Sequence, residues 1–261
     1  MRVGATAMAL AAALGATACD RSSPGVQHAP ATSTSSPATE PVTMASTPSP
    51  ATAVSSAPAG ALSISQLCVT EGTLTPRGEH LFVDVPKCRA VAALTTEPAA
   101  ELRFTYLGPT AETTALGSGR VRRQIGLKLR AQNGCNLVYA MWRLEPKNEI
   151  AVQVKRNPGQ ATFVECQNRG YRNVQPARSE AAPDVSEGSS HVLRAEMHGA
   201  DLTVWADGAV VWQGNVGEEA LAFDGPVGLR TDNGRFALAL TAGATPGASA
   251  VPRPCGEATG E

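Results

Sequence analysis

The chain has 261 residues and a formal net charge of −1, so no global field draws in nucleic acid or an anionic membrane. Its hydrophobic fraction of 43% suits a globular protein, but much of it is alanine crowded into the first sixty residues, and aromatics make up only 4%. All the aromatics fall from Phe82 to Phe236, which leaves about 180 core-forming residues, enough for one well-buried domain.

Met1 and Arg2 make a short positive start, followed by an apolar, alanine-rich run from Val3 to Leu14. The run is shorter than the about 20 residues a membrane-spanning helix needs. Ala16-Thr17-Ala18 then supplies small residues for processing, so residues 1–18 are expected to be a removable signal peptide. Cys19 follows at once, a placement that resembles a bacterial lipobox, in which that cysteine is acylated and becomes the mature N-terminus. Ala16 stands where such boxes usually carry leucine, and Ala-Thr-Ala also suits ordinary secretion. The expected address is therefore an exported, membrane-anchored lipoprotein of the cell envelope, with soluble secretion as the alternative.

Residues 19–60 are almost wholly Ser, Thr, Pro, Ala and Val after Asp20, without an aromatic. Such a segment cannot bury enough apolar surface to offset its ordering entropy, and it is expected to be a disordered linker. Its scattered prolines favour extended conformations, with an upper reach of roughly 120 Å at about 3.1 Å per residue.

From residue 61 to 242 short alternating segments replace that texture. Leu102, Phe104 and Tyr106 share one face of a strand while Arg103 and Thr105 share the other. Ile125, Leu127 and Leu129 oppose Gln124, Gly126, Lys128 and Arg130, and Ile150, Val152 and Val154 oppose Ala151, Gln153 and Lys155. Asn136 to Arg143 is apolar on both faces, as a central strand would be. Val192–Met197, Leu202–Ala206 and Ala209–Trp212 read as strands, the last two joined by an Asp207-Gly208 hairpin turn. Val227–Arg230 and Arg235–Leu240 read as another strand pair about Thr231–Gly234. The expected fold is all-β, an antiparallel sandwich, with residues 243–261 as a flexible tail.

The run His191–Gly208, followed by Gly225-Pro-Val-Gly-Leu-Arg-Thr-Asp-Asn233, resembles the late strands of concanavalin A-like lectin/glucanase jelly rolls, including laminin-G-like domains. The likeness covers about fifty residues and rests on turn glycines and core positions, so it speaks to fold more than to activity. The resemblance implies a jelly roll whose concave sheet holds saccharide. It also makes Asp207, Asp232 and Asn233 weak candidates for calcium, a cation that takes oxygen ligands, although turn chemistry alone accounts for these residues.

An exported chain lives where disulfides persist. Cys68–Cys88 and Cys135–Cys166 are the favoured bridges, because each pair brackets a segment that can fold back as a hairpin or adjacent strands. Cys255 is then left over. A glucanase on the resembled fold needs paired carboxylates on one strand face, as in E-x-D-x-x-E, and no such run exists. There is no G-x-S-x-G elbow, phosphate loop or C-x-x-C pair, so no catalytic residue and no cofactor is expected.

What remains is a polar strand face. If the alternating apolar residues look inward, Arg103, Gln124, Lys128, Arg130, Gln153 and Lys155 project from one sheet, with Trp142 or Tyr139 to supply a ring. Directed donors beside an aromatic suit a saccharide, and Arg120, Arg122 and Arg123 hint at an acidic one. The alternative is a solvated face of mixed charge. The expected function is an envelope-tethered, non-catalytic binding domain whose partners are an envelope or extracellular polysaccharide and, through the lipid, a membrane. Two others stand beside it: a protein-interaction or structural envelope module, and a glycan hydrolase with unidentified carboxylates.

Overall fold

A computed structural model of the protein describes residues 60–94, 96–243 and 255. The expected signal peptide, the lipidation site Cys19, the linker up to residue 59 and all of the tail except residues 243 and 255 lie outside the described residues. Among the described residues fifteen strands form. The first four are β1 (Leu67–Glu71), β2 (Thr75–Arg77), β3 (His80–Val83) and β4 (Lys87–Ala92). Next come β5 (Ala99–Pro109), β6 (Arg123–Leu129), β7 (Leu137–Glu145) and β8 (Glu149–Lys155). After a single helical turn, α1 (Phe163–Cys166), follow β9 (Tyr171–Val174), β10 (Arg178–Ser179), β11 (Ser190–His198) and β12 (Asp201–Ala206). The last are β13 (Ala209–Asn215), β14 (Gly228–Asp232) and β15 (Gly234–Ala242).

The strands make two antiparallel sheets packed as a sandwich. One has seven strands in the order β1-β4-β14-β6-β7-β8-β9, the other eight in the order β10-β13-β12-β11-β5-β15-β3-β2. The alternating residues behave as their period demands. Leu102, Phe104 and Tyr106 of β5, Ile125, Leu127 and Leu129 of β6, and Val152 and Val154 of β8 are all buried in one core between the sheets. Aromatic rings fill the space between the layers: Phe104 of the eight-stranded sheet meets Trp142 of the seven-stranded one edge-on at 5.7 Å, and Phe236 of its own sheet at 5.8 Å. Asp207 and Gly208 take the left-handed backbone (φ 50° and 84°) that a tight hairpin between β12 and β13 requires.

Three expectations are corrected. β14 and β15 are not a hairpin: β14 pairs with β4 and β6, β15 with β3 and β5, and the chain changes sheet at Asn233. Arg103 does not share a sheet with Gln124, because β5 pairs with β11 and β15 in the eight-stranded layer. Cys68 bridges to Cys255 rather than to Cys88. Strands β1 and β4 are indeed neighbours, but Cys68 lies opposite Val91, in a cluster on the sheet's outer side, while Cys88 points into the core. Side chains on opposite faces of one sheet cannot be joined. The Cys135–Cys166 bridge forms as expected.

Candidate functional site

The site builds up from the outer face of the seven-stranded sheet. In β6, β7, β8 and β14 the residues that do not face the core include Gln124, Gly126 and Lys128; Leu137, Tyr139, Met141 and Arg143; Gln153 and Lys155; and Arg230 and Asp232. A bare sheet face would leave them to solvent. Two loops roof it instead. Residues 110–122 come in from one side, and the segment carrying α1 comes in from the other. The loops touch at Gly117, where an added Cβ would stand 2.1 Å from the Asn168 amide. Glycine is what lets them close.

Each loop is tied down by residues the chain provides for that purpose. Asn233, itself left-handed at φ 54°, donates from Nδ2 to the Thr114 and Arg122 carbonyls (2.9 and 2.8 Å), and its Oδ1 accepts from the Thr114 amide (2.8 Å). The other loop is pinned by Cys135–Cys166 and by Asn157, whose Nδ2 donates to the Cys135 and Arg169 carbonyls. At the start of α1 the Thr162 and Ala161 amides donate to Glu165 Oε2 and hold its carboxyl below its usual range.

Beneath the roof lie two adjoining hollows, of about 310 and 290 Å³. They share Leu116, Gly117, Asn168, Tyr171 and Arg230. Their basic lining is Lys87, Arg89, Arg120, Arg122, Lys155 and Arg230, against a single lining carboxylate, Glu71. In a chain of net charge −1 this is a local concentration of positive charge.

Asp232 organises the floor. Its side chain is fully buried; it accepts from Arg89 Nη2 at 2.6 Å, from Arg230 Nε at 2.8 Å and from Gln124 Nε2 at 2.6 Å. Burial alone would push this carboxyl up, but the two guanidiniums, Arg230 foremost, outweigh it and hold Asp232 below the usual carboxylate range. Arg89 donates from Nη1 to both the Cys88 and Thr231 carbonyls and turns Nε toward Glu71 at 3.7 Å. Arg230 is different. Burial disfavours its charge, yet Asp232 and the neighbouring tyrosines raise its pKa well above that of ordinary arginine, so it stays a cation. With Nε committed to Asp232, the guanidinium lies over the Tyr139 ring at 5.2 Å, in the lane that Gly126, its partner in register, leaves without a side chain. Tyr139 stacks against Tyr171 (18° between planes), and burial pushes the Tyr171 phenol up, so it remains a donor.

The expected site residues fall into three groups. Gln124, Gln153 and Lys155 line the hollows: Gln153 donates to Asn173 at 2.7 Å, and Lys155 donates to the Gly134 carbonyl at 2.7 Å while sitting over the Phe163 and Tyr171 rings. Lys128 is on the same face but buried beside Tyr139, off the hollows. The others are elsewhere. Arg103, on the outer face of the eight-stranded sheet, pairs with Glu101 at 2.9 Å. Arg130, at the end of β6, donates to the Phe223 carbonyl and faces Asp224. Trp142 is fully buried in the core, so the outward ring of β7 is Tyr139. The calcium candidates have other work: Asp232 neutralises arginines, Asn233 ties a loop, and Asp207 accepts from the Val192 amide. Among the described residues no group of three or more His, Cys, Asp or Glu is placed to hold a metal ion. Arg120 and Arg122, expected to favour an acidic saccharide, do line the second hollow; for Arg89, Arg230, Tyr171 and the segment carrying α1 the sequence offers only the Arg-Thr-Asp spacing of 230–232, a charge pair on one strand face.

In the eight-stranded layer Ser189, His191 and Asp207 stand in a row, with Ser189 Oγ to His191 Nε2 and His191 Nδ1 to Asp207 Oδ2 both 2.8 Å. The row is a clasp and not a nucleophile. Ser189 Oγ donates to the Ser186 carbonyl at 2.6 Å and accepts from the Ser186 amide at 3.1 Å, while the imidazole packs on Phe104 and Trp142. It joins the 186–189 turn to the β12–β13 hairpin.

These features define an antiparallel β-sandwich with a roofed, basic hollow on one outer face. Solved structures similar to it include the carbohydrate binding module CBM66 from Bacillus subtilis, 14% identical, matched over 66% of this chain and 91% of that one with a TM-score of 0.46. Another belongs to endo-acting O-glycanases of prominent members of the human gut microbiota, at 8% identity, 70% and 95% coverage and a TM-score of 0.44. A third is the Emp46p carbohydrate recognition domain in metal-free form, at 11% identity, 70% and 90% coverage and a TM-score of 0.42. No family model and no curated protein sequence matches the chain.

Proposed function

We propose that this protein is an exported, non-catalytic binding module that holds a saccharide on the outer face of its seven-stranded sheet. Residues 19–60 serve as its stalk and a lipid on Cys19 as its anchor. The observation that carries the reading is the pair of roofed hollows, lined by amides, phenols and guanidiniums on the strands and on the loops pinned over them. Directed donors on a preformed surface are what polyhydroxylated ligands need. A hydrolase reading has less support. A general acid needs a carboxyl held above its usual range, whereas Asp232 is held below it by two arginines. The two disulfides suit a compartment in which such bonds persist.

A glycan array probed with the full chain tests the assignment. Gln153→Ala, which removes an amide from the rim of a hollow, should weaken binding by about three- to tenfold, the worth of one or two hydrogen bonds. Arg103→Ala, on the opposite sheet, should leave it unchanged. The reverse pattern moves the site to the other face, and binding to no glycan removes the function.

A further inference from the structure

Two features of the hollow formed by Arg120, Arg122, Gln124, Gln153 and Arg230 ask for a ligand of narrower chemistry. The first is Arg230. Asp232 takes its Nε at 2.8 Å and the Tyr171 phenol is a second hydrogen-bond partner, while the terminal nitrogens, the end-on edge of the guanidinium, stand on the side of Tyr139, Tyr171 and the hollow. Such an edge presents two parallel N–H donors at the spacing of the two oxygens of a carboxylate. The second is Gln124. Its Nε2 is fixed on Asp232, so its Oε1 points the other way; that oxygen is buried and has no hydrogen-bond partner among the described residues. A buried acceptor left in this state costs about 1–3 kcal/mol unless a donor reaches it. Asp232 therefore sets side by side a guanidinium edge that can receive an anion and an amide oxygen that wants a donor.

We propose that this hollow is a subsite for a uronic acid residue, whose carboxylate lies on the Arg230 fork and whose ring hydroxyl donates to Gln124 Oε1. This rests on the reading that the face binds saccharide and adds the class. A neutral sugar answers Gln124 but leaves the fork without its anion. A simple anion answers the fork but leaves Gln124 without a donor. A uronic acid carries both groups on one rigid ring. Arg120 and Arg122 line the same hollow and add positive charge above the fork.

The test uses the full chain against polygalacturonate, alginate and hyaluronate, each beside its methyl ester, with neutral dextran and galactan as references. At least one of the acids should bind, and its ester at least about tenfold more weakly, since a charged hydrogen-bonded pair is lost. Arg230→Lys, which keeps the charge and loses the fork, should weaken binding by a similar factor. The esters test the unaltered protein, so the result stands even if that variant folds poorly. Equal binding of acid and ester, or an Arg230→Lys protein that binds like the original, overturns the assignment. Binding to neutral glycans and to none of the acids overturns it too and leaves the proposed function in place. Binding to no saccharide removes both.

Discussion

Asp232 shows how one residue can set the character of a surface it never reaches. It is inaccessible, yet its two oxygens fix two guanidiniums and an amide, and through them the charge and direction of the floor above. Asp232→Asn preserves the shape and removes the counter-charge from two nearly buried cations. That change should cost about 3–5 kcal/mol in chemical denaturation, the usual result of breaking a buried pair. The pH dependence has a definite sign. A carboxyl whose folded pKa is depressed contributes stability above its unfolded pKa of about 3.9, and that stability is lost as pH falls through the folded value. Stability measured by denaturation from pH 5 to 2 should therefore fall more steeply in the original protein than in Asp232→Asn; parallel curves would mean that the carboxylate is not held by the arginines. Residue by residue, the sequence was legible where environments were one-sided. Ile125, Leu127 and Leu129 against Gln124 and Lys128 could be assigned by period alone. In β7 both faces are buried, so period 2 separated Tyr139 from Trp142 without saying which looked outward.

At the scale of elements, alternation reveals which residues of a strand look inward, but inward means the same thing for both layers of a sandwich. Arg103 and Gln124 each oppose core residues, and nothing local to β5 or β6 records that these strands lie in different sheets. The adjacent 227–240 strands misled in the same way, because a four-residue link can turn back within a sheet or step across to the other. Loops are harder still. The roof over the hollows depends on Asn233, Gly117 and Asn168, which meet across more than fifty residues of chain from either side. The cysteines give a direct check. A non-reducing digest should yield Cys68 linked to Cys255 and Cys135 linked to Cys166, with Cys88 alkylated only after unfolding; any Cys68–Cys88 peptide would contradict the placement of these residues on opposite faces. Cys166→Ser should lower stability by about 2–4 kcal/mol, since it opens a loop of 31 residues' separation and loosens one wall of the hollows.

For the whole molecule, the two ends of the described chain meet. Ala61 bridges to Thr241, the Leu62 amide donates to the Leu240 carbonyl at 2.8 Å, and Cys255 is bonded to the edge strand β1. A domain held this way is suited to presentation from a stalk, and mass spectrometry of the mature N-terminus is the measurement that decides how it is held. An acylated Cys19 is the outcome the proposed anchor requires; an unmodified one removes the anchor. The hollow itself has a kinetic consequence. Arg120 at the rim is open to solvent, whereas the Arg230 side chain is only 11% exposed. Mobile ions screen the first far more than the second. Added salt should then slow the arrival of an acidic saccharide while leaving its residence time nearly untouched, because the rim charges guide the encounter and the fork beneath them, already in place, holds what has arrived.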